Sequence, residues 1–150
     1  MRQLSRFDKA LWQHNTNSTS FVLSGQAVSL RSRTGGDRRM DKLEQYRRFI
    51  QQLLNRYVEH QPSEGNIEIQ AVFDTVRDHY QIMHVGWHGR RWVHSCSVHL
   101  DIKDGKIWIQ WNGTEDDLAK ELVELGVPKT DIVVGFHAPG MRKFTEYAVG

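Results

Sequence analysis

The sequence predicts an α+β fold in which a four-stranded antiparallel β-meander packs with an N-terminal helix and with a second helix after strand four. Three observations support this prediction. Apolar residues recur with a helical period after Asp41, whereas residues 66–112 alternate apolar and polar side chains as strands do. Between the last two strands, Asp104-Gly105 supplies the positive φ angles that a type I′ hairpin turn requires.

The first predicted helix starts at Asp41 and carries its apolar side chains on one stripe, formed by Leu43, Tyr46, Ile50, Leu53 and Tyr57. Charged and amide side chains occupy the opposite face. Such a pattern is typical of a helix that packs on a sheet. Pro62 and Gly65 mark a loop, so we expect the helix to end before Gln61.

Four strands are predicted, over Asn66–Asp74, His79–Trp87, Arg91–Asp101 and Ile107–Asn112. We expect a tight turn at His88-Gly89 between the second and the third. Strict alternation places one set of third-strand side chains on a single face, namely Trp92, His94, Cys96, Val98 and Leu100. It also places Trp111 on the face of the fourth strand that carries Ile107 and Ile109, opposite Trp108, Gln110 and Asn112.

A second helix is predicted from Thr114 to Leu125. Thr114 is a favourable N-cap, the acidic residues 115–117 suit the positive end of the helix dipole, and Gly126 stands where a left-handed C-terminal cap belongs. The apolar run 132–136 does not fix a conformation by its pattern. The alternating residues 144–149 are compatible with a terminal strand.

The composition predicts one domain, because 150 residues with 39% hydrophobic content suffice for a single core. Cys96 is the single cysteine and cannot form an internal disulfide, which fits a reducing cytoplasm. No apolar run reaches the roughly 18 residues that a membrane span needs. We therefore expect a soluble, cytoplasmic protein without membrane contact.

Charge divides the chain at residue 40. Residues 1–39 contain seven Lys or Arg and two Asp, a net of +5, whereas residues 40–150 contain thirteen basic and sixteen acidic residues, a net of −3. The first segment is rich in Ser, Thr, Asn, Gly and Arg and lacks a sustained period, so we expect a basic, disordered extension. A solvated extension is favoured over a nucleic-acid-binding arm, because its basic residues are scattered.

The histidines of residues 40–150 raise the question of a metal site, with His84, His88, His94 and His99 as the first candidates. Their spacing argues against one: His94 and His99 are five apart, hence on opposite faces of a regular strand, and no zinc-type spacing occurs. Asp74, Arg77, Asp78 and His79 are interpreted as turn residues. We predict no metal, no other cofactor and no catalytic residues.

One basic and aromatic group on the predicted sheet is a candidate interaction surface, since Trp and Arg are enriched at interfaces and on base-stacking surfaces. Its members are Arg90, Arg91, Trp92, Lys103, Lys106, Trp108 and Trp111. Burial of the Trp side chains in the core is the simpler alternative.

Several motifs resemble the XisI family, the cyanobacterial fdxN-element excision controlling factors. They are MDKLEQYRRFIQQLL, FDTVRDHYQIMHVGW, DIKDGKIWIQ, NGTEDDLAKELVELGVPKTDIV and GFHAP, and the resemblance covers residues 40–150. The residues matched to the family's motif are Asp101, Lys103, Asp104, Gly105, Lys106, Trp108, Gln110, Gly113, Thr114, Gly126, Pro128 and Phe136. Trp111 and Ala138 depart from it.

The resemblance implies a non-enzymatic accessory factor for the programmed, site-specific excision of a DNA element. Its partners would be an XisH-like protein and a site-specific recombinase, with homo-oligomerisation as a further option and DNA contacted indirectly. Two alternatives stay open: a direct nucleic-acid-binding module, and a regulatory partner of an XisH-like nuclease relative unconnected with excision.

Overall fold

The computed structural model describes residues 35–62 and 64–150, with side chains from residue 41 onward. Its elements are α1 (Gly35–His60), β1 (Asn66–Asp74), β2 (His79–His88), β3 (Arg91–Lys103), β4 (Lys106–Asn112), α2 (Leu118–Glu124), a 3-10 turn (Lys129–Asp131), β5 (Ile132–Val134) and α3 (Pro139–Arg142). The helix α1 thus starts five residues before the predicted domain boundary at residue 40. Residues 1–34 of the predicted extension lie outside the described residues.

The sheet has five strands in the order β1-β2-β3-β4-β5. The first four form the antiparallel meander that the sequence predicts, so the α+β prediction is confirmed. The strand count of four was too low, because residues 132–134 add a strand that runs parallel to β4. A three-residue apolar strand has too few residues to show a period, and only its pairing with β4 defines it.

Both hairpin turns contain two residues. In the β3–β4 turn, Asp104 has a φ of 53° and Gly105 a φ of 75°, which confirms the type I′ prediction. The β2–β3 turn lies one residue later than predicted: His88 pairs with Arg91, and Gly89 and Arg90 form the turn. Gly89 has a φ of 61°, a positive angle that glycine adopts without strain. In the predicted turn His88 would have taken such an angle, which is sterically unfavourable for a residue with a Cβ.

The core lies between the two longer helices and one face of the sheet. The helix α1 contributes Tyr46, Ile50, Leu53 and Leu54, and α2 contributes Leu118 and Leu122. The sheet contributes Tyr80, Ile82, Val98, Leu100, Ile102, Ile107 and Ile109. This agrees with the predicted stripe of α1 and with its packing on the sheet.

Polar contacts fix α1 on the sheet at two points. Arg47 donates through Nε and Nη2 to the two carboxylate oxygens of Asp78, over 2.7 and 2.9 Å, and Tyr80 donates to the same carboxylate over 2.9 Å. These hydrogen bonds hold the pKa of Asp78 below its ordinary value, although burial acts in the opposite direction. At the second point the Tyr46 hydroxyl donates to Asp131 over 2.6 Å.

The helix α2 is shorter than predicted and begins at Leu118 rather than near Thr114. Asp117 is its N-cap and accepts from the Lys120 amide over 3.1 Å. Thr114 instead donates to the Asn112 side chain, through its amide over 3.0 Å and its hydroxyl over 2.7 Å, so it holds a turn outside the helix. The C-terminus is as predicted: Val127 N–H donates to the Leu122 carbonyl around Gly126, the pattern of a Schellman motif.

Two β-bulges change which side chains face the helices. Ile82 pairs with Val98 but Met83 pairs with Cys96, so Ser97 is an extra residue in β3. Likewise His99 pairs with Trp111 but Leu100 pairs with Ile109, so Gln110 is an extra residue in β4. Since each bulge reverses the alternation, the one-sided predictions for these strands were wrong. Trp92, His94 and Cys96 lie opposite Val98 and Leu100, and Trp111 lies opposite Ile107 and Ile109.

The C-terminal residues pack beside β5 and across β4. Ala148 N–H donates to the Ile132 carbonyl over 2.8 Å, in an isolated bridge that stands where the sequence allowed a terminal strand. The Arg142 guanidinium donates to the carbonyls of His137 and Gly135, each over 3.0 Å. Among the described helices, none is long and apolar enough to cross a membrane.

Candidate functional site

The face of the sheet that points away from the core is called the open face. Cross-strand pairing assigns to it Gln81, Met83, Val85 and Trp87 of β2 and Trp92, His94, Cys96, His99 and Asp101 of β3. Their pairing partners on β1 and β4 continue the same surface. Trp92, Lys103, Lys106, Trp108 and Trp111 lie on this face, Arg90 lies in the β2–β3 turn, and Arg91 begins β3 on the opposite face, where it pairs with His88.

At one end, the β2–β3 hairpin tip carries an exposed aromatic pair. Trp87 and Trp92 are direct cross-strand partners, with ring centroids 5.2 Å apart and ring planes at 66°. Each remains 51% exposed. The next residues in the chain, Arg90 in the turn and Arg91 on the opposite face, are exposed, and neither forms an ion pair with any carboxylate of the described residues. We call Trp87, Arg90, Arg91 and Trp92 the hairpin tip.

At the other end, the candidate side chains are engaged within the chain. Trp108 is half-buried, with the Lys103 ammonium 4.7 Å and the Arg142 guanidinium 5.1 Å from its ring centroid. Lys106 donates to the Gly150 carbonyl over 2.9 Å. Cation–π contacts of this kind stabilise a packed surface by roughly 0.5–1 kcal/mol each. These groups therefore attach the C-terminal residues to the sheet.

The seven candidate residues do not form one surface. Trp92 and Lys103 lie eleven residues apart on β3, which corresponds to about 36 Å at 3.3 Å per strand residue. Trp111 lies apart from both groups: it is 51% exposed, and its ring centroid is 6.5 Å from that of Phe136. Among the seven candidates, only those of the hairpin tip combine exposed Trp and Arg side chains within a few residues of one another.

Between these two ends the structure assembles a cluster that sequence reasoning missed. The carboxylate of Asp101 accepts from His79 Nδ1 over 2.7 Å and from His99 Nε2 over 3.0 Å, both on Oδ1. Gln110 Nε2 donates to its other oxygen over 2.9 Å. Burial alone would raise the pKa of Asp101, but the hydrogen bonds from His79 and Gln110 and the attraction of His99 outweigh it and leave the pKa below its ordinary value.

The cluster depends on both bulges, which is why a regular alternation hides it. The bulge at Ser97 brings His79 directly opposite Asp101 and places His94 and His99 on the same face, contrary to prediction. The bulge at Gln110 lies in the strand segment opposite Asp101 and His99. The one available signal was the H-x-D spacing of His99 and Asp101, two residues apart and therefore on one face of a strand.

The other polar candidates have local roles. Asp74 accepts from the amides of Val76 and Arg77 over 3.1 and 2.9 Å, so this connection is the turn that the sequence predicts. His84 Nε2 and the Ser97 hydroxyl lie 2.9 Å apart, while His88 and His94 are exposed. Burial raises the pKa of the Cys96 thiol, whose sulfur donates to the Val98 carbonyl over 3.1 Å. This Cys96 is a free cysteine without the features of a reactive thiolate.

The fold is that of a small α+β protein whose β2–β3 hairpin ends in exposed Trp and Arg side chains. More particularly, the chain belongs to the XisI family, because the family described as XisI protein matches residues 40–149. No curated protein matches the chain.

Two solved structures from Anabaena variabilis resemble it. One is a XisI-like protein with 45% sequence identity and a TM-score of 0.69, covering 72% of this chain and 99% of that chain. The other is the fdxN element excision controlling factor XisI, with 34% identity and a TM-score of 0.65, covering 73% of this chain and 99% of that one.

Proposed function

We propose that this protein is a non-enzymatic accessory factor that controls the excision of a DNA element of the fdxN type by binding other proteins. Membership of the XisI family supports the proposal, as does the solved relative that is named an fdxN element excision controlling factor. The structural observation that carries the protein-binding part is the hairpin tip, where two half-exposed Trp side chains adjoin two Arg without an ion-pair partner among the described residues.

The proposed partners are an XisH-like protein and a site-specific recombinase, met in the cytoplasm, and a second copy of the chain is a further option. Aromatic and Arg side chains supply most of the binding energy at many protein interfaces. Because the tip is rigid in its backbone pairing, little conformational entropy is lost when it is bound. Its two guanidinium groups favour a partner surface that carries carboxylates.

Direct DNA binding is the second candidate, since Trp pairs beside Arg also suit stacking on unpaired bases. The charge of the domain argues against it. Non-specific DNA affinity comes from neutralising phosphates, and residues 40–150 carry thirteen basic against sixteen acidic residues. Regulation of an XisH-like nuclease relative without any excision is a variant of the first proposal and uses the same surface.

Co-expression with an XisH-like protein from the same organism tests the proposal. Size-exclusion chromatography with light scattering should show a stable complex. In parallel, fluorescence anisotropy at physiological salt should show weak, salt-sensitive binding of both duplex and single-stranded DNA. Sub-micromolar DNA affinity without a protein complex would replace the proposal by the direct-binding alternative.

A further inference from the structure

The cluster of His79, His99 and Asp101 has the composition and the convergence of a metal site. Each of the three residues offers one ligand atom, and these atoms all lie within 4.8 Å of one another. Nδ1 of His79 and Nε2 of His99 already converge on the same carboxylate oxygen, over 2.7 and 3.0 Å. Two imidazoles with one carboxylate are a donor set of Zn²⁺ and of neighbouring divalent transition metals.

The carboxylate lacks a full compensating charge. Asp101 is 6% exposed, and its hydrogen-bond partners are two imidazoles and an amide. Within the described residues, no Lys or Arg lies within ion-pair distance of it. A buried carboxylate is costly unless a positive charge or several hydrogen bonds compensate it. Three hydrogen bonds compensate Asp101, and a divalent cation would add the full positive charge that its partners lack.

The surroundings meet the other requirements of a metal site. Gln110 Nε2 donates to Oδ2 of Asp101 and so keeps Oδ1 directed at both imidazoles. Metal-binding carboxylates are commonly oriented by such a hydrogen bond from a neighbouring residue. The ligands stand on two neighbouring strands, with His79 directly opposite Asp101 and His99 two residues before it. The side chains of His79 and His99 are 52% and 31% exposed, which leaves an entry path and room for ligands from solvent.

From these observations we propose that His79, His99 and Asp101 bind one divalent transition-metal ion, Zn²⁺ or a metal of similar preference, on the open face. Zinc bonds to nitrogen and oxygen are about 2.0–2.2 Å long, so tetrahedral ligand atoms lie about 3.3 Å apart, and both imidazole nitrogens move slightly away from Oδ1 when the ion enters. Rotation of the half-exposed His79 side chain provides this movement. Three protein ligands leave at least one coordination position for water or for a side chain of a bound partner.

The test uses the full chain, freed of any purification tag and treated with a chelator. Isothermal titration with Zn²⁺ should give one equivalent per chain, and Co²⁺ should give a d–d absorption spectrum of low coordination number. His79→Gln and His99→Gln should each weaken binding by about tenfold or more, and Gln110→Ala by about tenfold. His94→Gln and His88→Gln change exposed imidazoles of the same hairpin outside the cluster and should leave the affinity unchanged.

Circular dichroism checks that each variant is folded, and the half-exposed His79 makes the His79→Gln variant decisive if His99→Gln unfolds. Absence of saturable binding to the wild-type chain would overturn the proposal. So would a stoichiometric site that His79→Gln leaves intact. Neither result bears on the hairpin tip, which shares no residue with the cluster.

Discussion

The two ends of the β2–β3 hairpin have the same backbone pairing but opposite relations to the rest of the molecule. At the base, Tyr80 and Ile82 of β2 and Val98 and Leu100 of β3 are fully buried in the core. At the tip, no residue from 83 to 97 belongs to that core, and Trp87 and Trp92 are half-exposed. The base therefore holds the hairpin in place, and the tip is left exposed.

The change from core residues at the base to exposed residues at the tip occurs at Ser97. Because the bulge reverses the alternation, Trp92 and Cys96 before Ser97 lie on the open face, whereas Val98 and Leu100 after it lie in the core. The large apolar side chains at the tip do not contribute to the core. Burial in the core therefore does not account for Trp87 and Trp92.

Removing a core side chain at the base should have the largest effect on stability. Leu100→Ala is expected to lower the free energy of unfolding by about 2–5 kcal/mol, through lost burial and a residual cavity. Trp92→Ala at the tip deletes a larger side chain but should cost only about 1 kcal/mol, mainly the contact with Trp87. Urea denaturation of both variants measures the contrast. Equal losses would show that the tip is part of the core.

The next largest effect should come from Gly86, which lies between base and tip. A Cβ at this position would lie 1.9 Å from the Asn66 carbonyl oxygen of β1, at a φ of 148°. Gly86→Ala should therefore cost about 3 kcal/mol or more by displacing β1, since backbone cannot yield as a side chain can. The control is Gly89→Ala in the turn, where a Cβ meets nothing and only a positive φ is strained, at about 1–2 kcal/mol. Gly86→Ala should therefore have a lower melting temperature than Gly89→Ala.

Low pH should destabilise the lower end of the β2–β3 hairpin, where Asp78 and Asp101 lie, before it affects the tip. The pKa values of Asp78 and Asp101 lie below their ordinary values, so both carboxylates contribute stability above their unfolded pKa, and that stability is lost as the pH falls through their folded pKa values. The urea concentration at the midpoint of unfolding should therefore decrease as the pH is lowered below about 4. Asp101→Asn should reduce this pH dependence. If the free energy of unfolding depends on pH in the same way in that variant, the hydrogen-bond partners of Asp101 do not stabilise its charged carboxylate.

The smallest effect is expected from shortening the chain. Since the core cluster of the described residues extends from Leu43 to Tyr147, a chain that begins at Gly35 should unfold cooperatively at an unchanged temperature. Differential scanning calorimetry of the shortened and full chains makes the comparison. A broad or earlier transition would assign part of residues 1–34 to the folded unit.

The sequence predicts the meander well because its signals are local. The limits of β1 and the Asp104-Gly105 turn follow from alternation and turn chemistry alone. The fifth strand and the two bulges do not, because strand pairing with other parts of the chain decides them. The Asp117 cap was missed because Asn112 binds Thr114, the favoured N-cap, in a local turn. The His79, His99 and Asp101 cluster depends on the Ser97 bulge and was hidden for that reason, whereas Trp92 and Arg91 were recognised by residue type.

We propose that the hairpin tip binds a protein partner. Biolayer interferometry measures the affinity between the full chain and an XisH-like protein, with Arg91→Glu and Trp92→Ala as tip variants. Two matched controls lie elsewhere: Arg48→Glu, an exposed Arg of α1, and Trp111→Ala, an equally exposed Trp of β4.

We predict that each tip variant weakens the complex by at least about 1–2 kcal/mol, tenfold or more in Kd, while both controls stay close to the wild-type value. Wild-type affinity in both folded tip variants, or an equal loss in the controls, would contradict the account.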